Sequence, residues 1–246
     1  MDDLLKKAYV AGVERVAAWS DLLDAINVFP VADGDTGRNL AISLSPLRFA
    51  GDEKEKVVRR LLMSARGNSG NIASQFFSAF YAAESVFALA TAAQEGNKKA
   101  WQALGDPRPG TMLTVFDALE DALWRENFLP TPEAAEKLIA RLAQAVSDTQ
   151  ELLPKLKEAG VIDAGALGMY IFFEGFFLTL AGATGNYRPV TDVFKGRLQI
   201  LSSFTSEAEA GYCVDFVLRA GDKTSGDLAS VMASQESAIV IGQGYR

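Results

Sequence analysis

The chain has 246 residues, about half of them hydrophobic, and a formal net charge of −7. That is long enough for a full core, and too acidic for the basic face that non-specific nucleic-acid binding needs. It contains no histidine, which excludes His-dependent triads, Zn–His sites and His-carried phosphoryl intermediates, and a single cysteine, Cys213, which excludes an internal disulfide and suits a reducing, cytoplasmic setting.

In chain order, the first ~185 residues read as helices by the recurrence of apolar positions. The N-terminus carries acids and no apolar h-region, so it is not read as a signal peptide. A first helix is expected from Asp2 to Ile26, ended by Pro30. A second covers Thr36 to Leu47 and a third Glu53 to Ser64; a fourth follows "RGNSG" (Arg66–Gly70) and runs to about Ala93. A short fifth segment spans Asn97–Leu104, and a sixth helix starts near Pro109 and reaches Glu126. Thr131 and Pro132 mark the start of the seventh as N-cap and N1 residues. The eighth, "AGALGMYIFFEGFFLTLAGA", is long enough to be tested as a membrane span, but Glu174 at its middle and its glycines favour a buried core helix, so no transmembrane segment is expected.

Beyond Tyr187 the character changes. Residues 197–204, 211–221 and 236–242 are short β-rich runs between Gly and Ser, read as the incomplete start of a second domain. "GDKTSG" (221–226) resembles a phosphate-loop fragment but opens no helix, and reads as a hairpin loop. Two units follow: a helical one over 1–190 and a β-rich one over 191–246.

Four glycine-bearing polar loops precede predicted helices: "DGDTGRN", "RGNSGN", "RPGTM" and "GVIDAGALG". In an up-and-down arrangement their helices all begin at one end. Four helix N-termini would converge there, each with unpaired N–H groups and a positive dipole end. Asp33 and Asp35 sit on that rim, and two carboxylates around one glycine suggest a hard cation. Each loop alone has a plainer reading: "DGDTG" as a turn, "RGNSG" and "RPGTM" as loop punctuation, Asp163 as an N-cap. No P-loop or Rossmann fingerprint occurs.

Taken together, "NVFPVADGDTGRN", "ARGNSGNIASQ", "RPGTMLTVF" and "GVIDAGALGMYIFFEGF" resemble the four signature segments of the fatty acid kinase nucleotide-binding domain, itself related to the L subunit of dihydroxyacetone kinase. The resemblance covers about residues 1–190 and implies a mainly α fold, an eight-helix antiparallel barrel holding ATP and two Mg²⁺ ions at one rim. It implies Asp33 and Asp35 as metal-binding and catalytic residues, with Asn27 the nearest candidate for the third metal-binding aspartate that the dihydroxyacetone kinases carry a few residues earlier. Thr36, Asn39, Asn68, Ser69, Gly70, Thr111, Met112, Asp163, Gly165 and Ala166 match the positions around the nucleotide. Arg38, Arg66 and Arg108 are added as phosphate neighbours. The resemblance further implies phosphoryl transfer to a fatty acid carboxylate delivered by a DegV-like binding protein. The second domain offers a route to a homodimer. Two other readings stand: the nucleotide subunit of a dihydroxyacetone-type kinase, although Thr36 stands where those enzymes often have His, and a non-catalytic nucleotide-binding scaffold.

Overall fold

A computed structural model describes residues 1–126 and 128–205. These residues are mainly helical and contain no strand. The helices are α1 (Asp3–Ala18), α2 (Ser20–Ala25), α3 (Thr36–Leu44), α4 (Lys54–Ser64), α5 (Gly67–Phe80), α6 (Leu89–Gln102), α7 (Met112–Glu126), α8 (Pro132–Leu152), α9 (Pro154–Ala159), α10 (Ala164–Leu180) and α11 (Val190–Val193).

Local chemistry explains several boundaries. Asp2 caps α1 by accepting from Leu4 N, and Thr131 caps α8 by accepting from Ala134 N, with Pro132 in the first turn as its fixed φ favours. The single helix expected over 2–26 is two helices. At the break, around Trp19, Ser20 Oγ donates to the Ala17 carbonyl and competes with the backbone ladder. α3 stops at Leu44 and gives way to a 3-10 turn carrying Pro46, short of the expected Leu47.

The division between the fourth and fifth predicted helices also moves. α5 ends at Phe80, where the amides of Ala82 and Ala83 tighten onto Ala79 and Phe80 and the buried Tyr81 hydroxyl donates to the Ala50 carbonyl. α6 then begins at Leu89. Apolar residues continue through this reversal, so periodicity gives no stop signal there. α9 was not anticipated.

α10 is the interior helix: every residue but Thr179 is buried. α1 lies antiparallel to it. Tyr9 packs on Phe176, and Gly12 on Phe172 so closely that an added Cβ would lie 2.8 Å from the ring. α7 runs parallel to α10, with Met112 against Gly165 and Phe116 near Phe173. α3 and α5 are parallel to each other, Asn39 meeting Gly67 and Ser43 meeting Gly70, while Leu40 packs on Gly168 of α10. Hence α3, α5, α7 and α10 all begin at one end. The core between them is strongly aromatic, with Phe76 stacked on Phe116 at 3.9 Å. Among the described residues no helix is long and apolar enough to cross a membrane.

The helical body extends past residue 190, since Val190 and Phe194 are buried in it and Phe194 meets Tyr170 edge-on. Residues 197–204 form bends and turns rather than the expected strand. With no partner strand among the described residues, this stretch bonds to the end of α9 and the loop before α10: Leu201 N donates to the Ala159 carbonyl and Ile162 N to the Arg197 carbonyl. The runs at 211–221 and 236–242, and Cys213, lie outside the described residues.

Candidate functional site

The rim is assembled from the loops that start α3, α5, α7 and α10. Asp33 is exposed, and Oδ1 accepts from the Nδ2 of the buried Asn27 at 2.7 Å. That bond orients the Asp33 carboxylate and leaves only the Asn27 amide oxygen as a metal donor. Asp35 is half-buried at the N-cap of α3. Burial pushes its carboxyl above the ordinary range, Asn39 draws it back by a hydrogen bond, and the charges of Asp33 and Asp24 push it up again. A cation between these carboxylates would relieve that repulsion. Among the described residues no group of three His, Cys, Asp or Glu is arranged to hold a metal by itself. Two carboxylates and an amide oxygen nevertheless fit Mg²⁺, which takes few protein donors and completes its shell with phosphate oxygens and water.

Asn39 joins this cluster to α5. Its side chain bonds Asp35 and also stands where a Cβ on Gly67 would fall, 2.3 Å from Nδ2. Gly67 has φ +58, a left-handed conformation that glycine adopts without strain. Asn68 and Ser69 follow in the first turn, partly exposed, with Gly70 buried against Ser43. The Arg66 side chain, at the N-cap of α5, makes no capping bond.

Side chains serve the starts of α3, α7 and α10. Asp24 accepts from Gly37 N and Arg38 N at the start of α3. Thr111 Oγ1 accepts from Leu113 N on α7. On α10, Asp163 Oδ1 accepts from Ala166 N at 2.7 Å. Asp163 is buried, with its own N–H bonded to Thr149 Oγ1, and burial pushes its carboxyl up to about 7 against the pull of the Ala166 and Gly165 amides.

The remaining sequence-marked residues divide by exposure. Thr36, Met112, Gly165 and Ala166 are buried beneath the rim, and Thr111 is partly exposed on it. Arg38 reaches Asp24, Arg66 donates to the Ala65 carbonyl, and Arg108 is held by Asp106. Sequence reasoning missed Asp24 and Ser43. Ser43 Oγ accepts from Arg66 N and so sets the approach of the chain to α5. Neither residue belongs to a local motif, and each acts across helices. Cavities of about 340 Å³, between α1 and residues 48–51, and about 250 Å³, between α8, α10 and residues 186–193, lie away from the rim. Chemistry rather than cavity depth marks the site.

Asp163 yields a pH prediction. Its folded pKa lies above the unfolded one, so between about pH 4 and 7 the folded state holds a proton that the unfolded state has lost, and stability falls as pH rises through that window. Asp163→Asn keeps a capping oxygen and should remove that slope, with stability at pH 8 equal to or above that of the unaltered protein. Asp163→Ala should lose about 0.5–2 kcal/mol, the usual cost of a lost N-cap. Urea unfolding across pH 4–8 checks both.

The DAK2 domain matches residues 30–177. Protein YloV of Bacillus subtilis is 34% identical over 236 residues, covering 85% of this chain and 42% of that protein. Uncharacterised proteins of Staphylococcus saprophyticus and Mycoplasma pneumoniae are each 31% identical, covering 89% and 92% of this chain and 44% and 45% of their own lengths. The chain spans less than half the length of these relatives.

Proposed function

The chain belongs to the DAK2 domain family, and from that premise we propose that it is the nucleotide-binding module of a kinase that transfers the γ-phosphoryl group of ATP to a fatty acid carboxylate. The family places it among dihydroxyacetone-kinase-like modules; the acceptor, its delivery by a DegV-like protein and the cytoplasmic setting are our reading, resting on the signature segments. We read the kinase domain as the helical body, residues 1–190 together with the segment through Phe204 that packs on it, and the remainder as part of a second domain.

The observation that carries the nucleotide half is the glycine-bearing start of α5, tied through Asn39 to Asp35. The amides of Asn68 and Ser69 would receive phosphate oxygens, as helix N-termini do, with Gly70 behind them packed on Ser43. Asp33 and Asp35 would hold Mg²⁺, with Asn27 orienting Asp33. Bound there, Mg²⁺ supplies charge neutralisation for phosphate and acceptor. Thr111 borders the nucleotide, while the buried Thr36, Met112, Asp163, Gly165 and Ala166 hold the floor beneath it.

The acceptor chemistry asks little of side chains. A fatty acid carboxylate is already ionised at neutral pH, so no general base is required, which suits a chain without histidine. A carboxylate oxygen bonds to the γ-phosphorus as the bond to the β–γ bridging oxygen breaks. ADP leaves, and the product is an acyl phosphate. Positioning and charge neutralisation dominate such transfers.

Product analysis tests the acceptor. With Mg²⁺, ATP and a fatty-acid-loaded DegV-like protein, the expected product is an acyl phosphate, trapped by hydroxylamine as the hydroxamate. Phosphorylation of dihydroxyacetone in the presence of a sugar-holding subunit, with no acyl phosphate, would overturn the fatty acid assignment.

A further inference from the structure

Asp24 lies on α2, outside all four signature loops, yet one of its oxygens accepts from Gly37 N at 2.7 Å and Arg38 N at 3.2 Å. The Arg38 guanidinium approaches the other oxygen at 3.5 Å. The Asp24 side chain is only 16% exposed. α2 and α3 are in close contact here: a Cβ on Gly37 would lie 2.0 Å from the Ser20 carbonyl oxygen. The carboxylate therefore occupies the place an anion would take at the start of α3. The helix residue at the N-cap, Asp35, makes no capping bond itself and is left facing Asn39.

We propose that Asp24 is a positioning residue of the nucleotide site: it closes the first turn of α3, fixes Asp35 and Asn39 against the start of α5, and keeps phosphate from docking on α3. The proposal rests on the nucleotide-binding reading above. In it, Asp24 never touches the nucleotide. It satisfies the donors of the α3 start so that phosphate is not drawn there, and it holds the bridge from Asp35 through Asn39 to Gly67 in register.

The test compares the unaltered chain with Asp24→Asn and Asp24→Ala, titrating each with a non-hydrolysable ATP analogue in the presence of Mg²⁺. Asparagine keeps an oxygen that can accept from Gly37 N; alanine does not. Asp24→Ala should bind at least about tenfold more weakly, and Asp24→Asn within about threefold of the unaltered protein. Amide exchange at Gly37 and Arg38 should accelerate in the alanine variant alone. If Asp24→Ala does not fold, Asp24→Ser, whose hydroxyl is too short to reach, carries the same comparison. Equal affinity in all folded variants would reduce Asp24 to a helix cap and overturn the proposal. An asparagine variant as weak as the alanine one would overturn positioning by hydrogen bond in favour of charge. Failure of the unaltered chain to bind would instead overturn the nucleotide reading, and the role of Asp24 with it.

Discussion

Asp33→Asn is expected to abolish Mg²⁺-dependent nucleotide binding and phosphoryl transfer while leaving the helical fold intact. The side chain is exposed, and its hydrogen bond from Asn27 Nδ2 is within the reach of an amide oxygen at the same position. Exposed substitutions of this kind ordinarily change stability by no more than about 0.5 kcal/mol. Removing one of two neighbouring negative charges also relieves the repulsion that helps to raise the Asp35 carboxyl. Function moves the other way, because Mg²⁺ would lose one of two charged protein donors. The checks are calorimetric titration with the nucleotide analogue, phosphoryl transfer, and far-UV circular dichroism. Retained full affinity and activity would remove Asp33 from the site.

The largest stability effect is expected from Arg15→Met. Arg15 on α1 forms an ion pair with Glu174, in the middle of the interior helix α10. Glu174 is 2% exposed and also accepts from the Tyr170 hydroxyl at 3.3 Å. The Arg15 guanidinium lies 4.3 Å from the centre of the Tyr187 ring, so the residue ties three segments together. Burial raises the Glu174 pKa and Arg15 pulls it back. Without Arg15, the carboxylate would be buried and uncompensated, a situation that costs about 3–5 kcal/mol.

The sign of the pH dependence follows. In the variant, Glu174 would titrate well above its unfolded value, so stability should fall as pH rises through that interval and recover on acidification. Arg15→Met combined with Glu174→Leu removes both charges and should restore most of the loss, as replaced buried pairs generally do. Denaturant midpoints for the single and double variants at two pH values check this. A single variant as stable as the unaltered protein would show that the pair contributes nothing to the fold.

How legible this was in the sequence varied with how local each cause is. The seventh and eighth predicted helices came through because Thr131, Pro132 and the apolar run 164–180 are local signals. The interior position of α10 followed from its all-round hydrophobicity, and its one acid, Glu174, is matched by Arg15, 159 residues away in the chain. The breaks at Trp19 and after Phe80 were hidden, since apolar spacing runs through both and a Ser20 back-bond or a Tyr81 anchor leaves no periodic trace. The stretch 197–204 has strand composition but lacks a partner strand among the described residues, and β-propensity describes a fit to neighbours more than a property of the segment.

At the rim, the motifs pointed to the loops but not to the state of each helix start. The caps of α7 and α10 are local, Thr111 and Asp163, but that of α3 is Asp24, which reaches from another helix. Short motifs cannot carry that information.

The most direct measurement is calorimetric titration of the unaltered chain with a non-hydrolysable ATP analogue, with and without Mg²⁺. Saturable one-site binding that requires Mg²⁺ is expected. Absence of binding in both conditions would contradict it, leaving Asp33 and Asp35 as residues of a turn and the chain as a scaffold without a nucleotide.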